Sequence, residues 1–172
     1  MMKVPKQRDI FARDTHPELP IDPDVVQPGV YKWPPHFTPI LLGTVFIGGC
    51  AGALARYGVI SVWPTVTGSF PVATLFVNLL GAFLLGILLE GLSRRGPDAG
   101  LLRIVRLLVG TGFMGAFTTY STFAVETNQL IRHGSPEVAS LYVACSILGG
   151  LLVCAVGIKI AAAHHTKRIT QK

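Results

Sequence analysis

Four apolar stretches, each at least 19 residues long, occupy most of this 172-residue chain from residue 40 onward. They run over residues 40–63, 71–89, 107–125 and 138–158, and Arg56 is the one charged residue inside them. About 20 helical residues cross a bilayer core of about 30 Å. A water-soluble bundle would need a polar face on each helix, and none of the four stretches has one. Only 14% of the residues are charged, against about 25% in an ordinary soluble domain. The expected fold is therefore an all-α integral membrane protein with four transmembrane helices, near 40–63, 71–92, 104–131 and 137–163.

The remaining segments are short or of a different kind. Residues 1–38 hold seven of the twelve prolines, five basic residues and five acidic ones, with no apolar period. Such a segment buries too little apolar surface to offset its ordering entropy, so it is expected to be a disordered, solvated tail. It carries no apolar stretch of the signal-peptide kind. The connections 64–70, 93–98 and 132–136 each contain proline or glycine, which stop helices. Residues 164–172 are expected to form a short basic C-terminal tail. No segment is left for a separate catalytic domain.

The net charge of +6 would suggest a nucleic-acid partner in a soluble chain; in a membrane chain it reports orientation. Counting Lys and Arg on alternate sides gives 13 on the side of both termini and the second loop. The other side has Arg132 alone, and Arg56 lies within the first span. Without the distal Lys3, Lys6, Arg8 and Arg13 the bias is still nine to one. The positive-inside rule then places both termini in the cytoplasm.

Polar groups at membrane depth are costly and face the bundle interior or a water-filled path. Asn78 lies within the second span; it is expected either to tie helices together or to face a permeation path. Thr118, Thr119, Tyr120, Ser121 and Thr122 form a run of five hydroxyl-bearing residues in the third span. Ser and Thr are mediocre helix formers and compete for backbone partners, so this helix is expected to be broken near its centre. Freed carbonyls there can bind a cation, and hydroxyls can donate to an anion. Tyr142, Ser146, Gly150 and Cys154 follow one another at intervals of four in the last span, as a polar track or a packing seam. Arg56, Glu90 and Glu126 lie near span ends, where snorkelling to the interface is the default. Gly48 and Gly52 form a Gly-x-x-x-Gly pair that permits close helix approach. Cys50, Cys145 and Cys154 read as small hydrophobes, and all five histidines lie outside the spans. No Gly-x-Ser-x-Gly, His-Glu-x-x-His or phosphate-loop pattern is present, so an enzyme is not expected.

Three motifs carry a resemblance. They are Gly48-Gly49-Cys50-Ala51-Gly52-Ala53-Leu54-Ala55-Arg56-Tyr57, Thr74-Leu75-Phe76-Val77-Asn78-Leu79-Leu80-Gly81, and Gly112-Phe113-Met114-Gly115-Ala116-Phe117-Thr118-Thr119-Tyr120-Ser121-Thr122-Phe123. In this order, on four short spans, they resemble the small fluoride channels of the Fluc (CrcB) family, over roughly residues 40 to 163. The resemblance implies a passive fluoride exporter in the plasma membrane, built as an antiparallel dimer with two pores and a structural sodium ion (Na+) at its centre. By motif match Asn78 would donate to fluoride, and Tyr120 and Phe123 would stand at the pair of pore phenylalanines. Ser121, Thr122, Tyr142 and Ser146 would line the polar side of the pore. Gly115 and Thr118 match the positions whose carbonyls hold the sodium, and Arg56 and Glu126 match vestibule or structural charges.

The departures matter too. Tyr120 adds a hydroxyl to a pore ring, Ala116 replaces a glycine, and Gly150 and Cys154 stand where the track usually carries hydroxyls. The one-sided charge bias is unlike that of a chain inserting both ways. It implies pairing with a homologue of opposite topology as an alternative to self-pairing. A different function class, a small dimeric four-helix multidrug or cation transporter, would need an acidic residue deep in the first span, and residues 33–55 contain none. A helix-packing accessory subunit would account for the glycines but not for Asn78 and the hydroxyl run.

Overall fold

The structure, a computed structural model, describes residues 38–66 and 68–170, with side-chain surroundings as far as residue 164. All but the last residue of the expected N-terminal tail lies outside the described residues. The described chain is helical throughout: α1 (Pro39–Val62), α2 (Val72–Ser93), α3 (Gly100–Val105), a π-helical segment (Arg106–Met114), α4 (Gly115–Phe117), α5 (Tyr120–Arg132) and α6 (Pro136–Thr170). Four helical units are long and apolar enough to cross a membrane: α1, α2, the composite third unit Gly100–Arg132, and Pro136–His164 of α6. Against these stand the expected bounds 40–63, 71–92, 104–131 and 137–163. Two differences are that the third unit begins earlier, at Gly100, and that the last helix continues to Thr170 through the expected C-terminal tail.

Sequence explains where the helices start and stop. Pro39 occupies the first turn of α1, where its missing N–H costs nothing. Gly68, Gly96 and Gly134 adopt positive φ in the three connections, which glycine does without a Cβ clash. Pro136 opens α6, with Glu137 in its first turn beside the positive end of the helix dipole.

Two close helix pairs organise the bundle. α1 lies against the π-helical segment and α4, and α2 lies against α6 along most of its length. The first pair depends on glycine. A Cβ on Gly48 would overlap the carbonyl oxygen of Leu108, and one on Gly52 that of Phe113. Facing them, a Cβ on Gly112 would come within 2.6 Å of the Val45 carbonyl oxygen. The second pair repeats the device. A Cβ on Gly86 would meet the Cys154 carbonyl oxygen at 2.6 Å, and one on Gly157 would overlap that of Phe83. Backbones brought this close gain van der Waals contact, which drives helix association where no hydrophobic force acts between helices.

The outer surface is apolar. Phe46, Leu54 and Tyr57 of α1 and Leu148, Leu151 and Leu152 of α6 are exposed on the single chain. Cys50 is exposed as well, and Cys145 and Cys154 are half-buried; the cysteines are small hydrophobes, but Cys50 is on the outer face rather than in the core. At the end of the bundle that carries α3, Asp98 is gripped by Arg106 through Nε–Oδ1 at 3.0 Å and Nη2–Oδ2 at 2.7 Å. This pair of hydrogen bonds holds the Asp98 carboxyl below the usual carboxylate range.

Candidate functional site

The third span breaks at two residues. Thr118 (φ −77°, ψ 158°) and Thr119 (φ −146°, ψ 124°) are extended between α4 and α5. Broken backbone at membrane depth must be satisfied by protein or by a polar cavity, and here one side chain supplies most of that. Asn78 of α2 accepts the Thr119 N–H at 2.8 Å and donates through Nδ2 to the Thr119 carbonyl at 3.0 Å. The new helix is then capped by Thr119 itself, whose Oγ1 accepts the Thr122 N–H at 3.2 Å. The Oγ1 also donates to Thr122 Oγ1 at 3.0 Å and lies 3.2 Å from Ser121 Oγ. Gly81, one turn beyond Asn78, leaves the space that Thr118 Cγ2 fills.

This arrangement frees carbonyls of the last turn before the break, those of Gly115 and Thr118 among them. In an uninterrupted helix the Gly115 carbonyl would accept from the Thr119 N–H and the Thr118 carbonyl from the Thr122 N–H. Both amides donate to side chains instead, to Asn78 Oδ1 and Thr119 Oγ1. Gly115 is exposed, with open space where a Cβ would be. Among the described residues no group of three or more His, Cys, Asp or Glu side chains is placed to hold a metal. A hard cation is well matched to backbone oxygen ligands, and the carbonyls of Gly115 and Thr118 fit such a role.

Beside the break lies a cavity of about 640 Å³, walled by α2, the third span and α6. Asn78, Gly115, Thr118, Tyr120, Phe123 and Ser146 all line it. Asn78 has one amide hydrogen left after bonding the Thr119 carbonyl. Ser146 Oγ is buried without a hydrogen-bond partner among the described residues. The Tyr120 and Phe123 rings lie 6.0 Å apart between centroids and tilted at 41°, and Tyr120 is 81% exposed on the single chain. Two unused donors and two aromatic rings therefore stand together at the cavity, and the edges of such rings carry the positive part of the quadrupole.

The remaining expected site residues lie elsewhere. Ser121 and Thr122 are outside the cavity wall, at the cap of α5. Tyr142 is fully buried one turn before Ser146. Its OH donates to Glu126 Oε2 at 2.8 Å, and its ring packs on Phe123 at 5.1 Å and edge-on to Phe70 at 5.6 Å. Glu126 does not snorkel. Its Oε1 accepts from Thr74 Oγ1 at 2.9 Å and from Thr65 Oγ1 at 3.5 Å, so three hydroxyls converge on one carboxylate. It also lines a small cavity of about 90 Å³ with Thr65 and Gln129 at that end of the bundle. Glu90 pairs with Arg94 one turn away. Arg56 is half-buried and makes no hydrogen bond or ion pair among the described residues. The row on α6 is not a continuous track: Gly150 has open space beside it, and Cys154 packs by its backbone against Gly86.

Sequence reading missed the groups that surround these residues. Thr74, Thr65 and Phe70 complete the Glu126–Tyr142 cluster, yet only Thr74 carried a signal, as a hydroxyl one turn before Asn78 on the same face.

Comparison with known proteins shows the family. Residues 43–158 match the family described as CrcB-like protein, Camphor Resistance (CrcB). A protein of Cutibacterium acnes named fluoride-specific ion channel FluC 1 is 44% identical over 115 residues, covering 67% of this chain and 80% of the relative. FluC 2 of Leifsonia xyli is 45% identical over 124 residues, covering 72% and 85%. FluC 2 of Moorella thermoacetica is 49% identical over 112 residues, covering 64% and 87%. The matched region contains most of α1, α2, the broken third span and most of α6.

Proposed function

The chain belongs to the CrcB family, and on that footing we propose that it is a fluoride-specific ion channel, passing fluoride down its gradient across the cell membrane and so lowering cytoplasmic fluoride. The observation that carries the reading is the convergence of Asn78, Ser146, Tyr120 and Phe123 on one cavity beside the helix break. A small anion leaving water needs its hydration replaced, and a pore does this with donors and dipoles held at fixed positions. The second Asn78 N–H and the Ser146 hydroxyl supply donors, and the two rings supply positive edges. The Glu126–Tyr142 pair is the next group along α5 and α6. There Thr74 and Tyr142 engage the carboxylate, and Tyr142 steadies the Phe123 ring.

Two further parts belong to the same reading. A sodium ion at the centre of a dimer would be held by the Gly115 and Thr118 carbonyls, two from each chain, in a structural role. The exposed Tyr120 and the exposed Gly115 are consistent with a second chain laid antiparallel over the cavity. The Lys/Arg bias puts both termini of this chain in the cytoplasm. The partner is then a homologue of opposite topology rather than a second copy. The small-transporter alternative has no support in α1, which contains no acidic residue.

Liposome efflux read with a fluoride electrode tests the function. Vesicles containing the chain, with its homologue where pairing requires it, should release fluoride while retaining chloride. Retention of fluoride, or release of chloride at the same rate, overturns the reading.

A further inference from the structure

Four arginines cluster at the end of the bundle where α2 stops and α3 starts, and three of them are engaged by the two carboxylates of Glu90 and Asp98. Arg94 pairs with Glu90, Arg106 grips Asp98 through both carboxylate oxygens, and Arg103 lies 3.7 Å from the same carboxylate while donating to the Asp98 carbonyl. Arg95 is different: its side chain has no carboxylate or hydrogen-bond partner among the described residues, and it is exposed. It lines a cavity of about 400 Å³ between α2, α3 and α6. The walls are apolar, with Leu88 and Leu92 of α2, Val105 of α3 and Ile160 of α6; the second polar residue is the exposed His164. Arg95 lies two residues beyond the membrane-crossing helix Val72–Ser93, at the level where a lipid headgroup meets its acyl chains, and His164 of α6 shares the cavity with it.

An apolar slot with an unpaired cation and an imidazole on its rim is complementary to one kind of molecule available at that depth. Basic pockets between transmembrane helices recognise anionic headgroups, and a guanidinium binds phosphate oxygens through two parallel N–H bonds. We propose that this groove seats an anionic phospholipid, one acyl chain against Leu88, Leu92, Val105 and Ile160 and the phosphate between Arg95 and His164. The apolar walls favour a lipid over a free anion. Because the groove is framed by the ends of three helical elements, a seated lipid would brace the α2–α3 connection against α6. This goes beyond fluoride conduction and depends only on the chain crossing a membrane.

Native mass spectrometry of the purified full-length protein, mixed with phosphatidylglycerol or phosphatidylcholine, measures the site. The parent should retain phosphatidylglycerol in preference. The R95Q/H164Q variant should lose that preference, with retention weakened roughly fivefold by the loss of the Arg95 charge. R94Q, whose arginine is already paired with Glu90, should behave as the parent. Equal retention of the two lipids by the parent, or equal loss in R94Q, overturns the proposal. Displacement by millimolar inorganic phosphate shows a free-anion site and overturns it too, as does a cross-link from Arg95→Cys that places another protein chain in the groove. Should the double variant fail to fold, the parent still decides the matter: it must retain long-chain phosphatidylglycerol over a six-carbon analogue, and indifference to chain length overturns the proposal.

Discussion

Asn78 and Ser146 line the same cavity, but their bonding states differ, and so do the consequences of removing them. Asn78 satisfies both backbone groups of Thr119, a residue 41 positions away. Asn78→Ala leaves an N–H and a carbonyl unpaired at membrane depth, where an unsatisfied buried group costs about 1–3 kcal/mol. That variant should lose fluoride flux by at least about tenfold and also melt earlier, both read on one preparation by efflux and thermal unfolding. Ser146 Oγ has no partner to lose. Ser146→Ala should therefore leave the melting temperature unchanged or slightly raised, because deleting an unpaired polar group removes a desolvation penalty. Its flux should still fall severalfold. Parent-like flux in Ser146→Ala would remove this hydroxyl from the permeation path. The sequence made Asn78 conspicuous by its depth, but not its partner, because the partner is backbone and backbone has no signature in the residue string. Glu126 shows the same limit. Its place near a span end suggested snorkelling, and only the fold brings Thr65, Thr74 and Tyr142 to its two oxygens.

At the scale of elements, glycine decides which helices touch and hydroxyls decide where one breaks. The Gly-x-x-x-Gly pair of α1 was legible because spacing alone puts Gly48 and Gly52 on one face, and that face meets the third span. Gly48→Ala and Gly52→Ala each drive a methyl group into a carbonyl oxygen of the third span. Each should destabilise by about 1–3 kcal/mol, the usual cost of overpacking. Gly43→Ala, on the same helix with open space beside it, should leave stability unchanged or slightly raised. Equal melting temperatures for the Gly48 and Gly43 variants would contradict the close packing. The break at Thr118–Thr119 was legible from composition, since five hydroxyls in a row offer the backbone alternatives to the helix. The π-helical stretch from Arg106 to Met114 was not. Its sequence is an ordinary apolar run with two glycines, and nothing in that run marks the wider winding.

For the whole molecule, the apolar pattern prescribed four spans and their approximate ends, because length and hydropathy decide what a bilayer accepts. It could not say how many chains make a working unit. The exposed Tyr120 beside the cavity and the one-sided distribution of Lys and Arg both bear on that question. The bias is a property of the membrane domain: the N-terminal tail has equal numbers of acidic and basic residues, so the +6 arises from residue 39 onward, almost all of it on one side. Insertion in both orientations needs nearly balanced flanks, and nine cations against one argue for a single orientation. An antiparallel pair of identical chains would require half of the molecules to insert against that preference. Reporter fusions to the C-terminus should therefore report the cytoplasm only. Expressed alone in cells lacking a fluoride exporter, the chain should give no fluoride resistance. Expressed with a homologue whose Lys/Arg bias is reversed, it should restore resistance, and the two chains should co-purify. Resistance from the lone chain would show that it serves both orientations itself, and would overturn the pairing drawn from its charge.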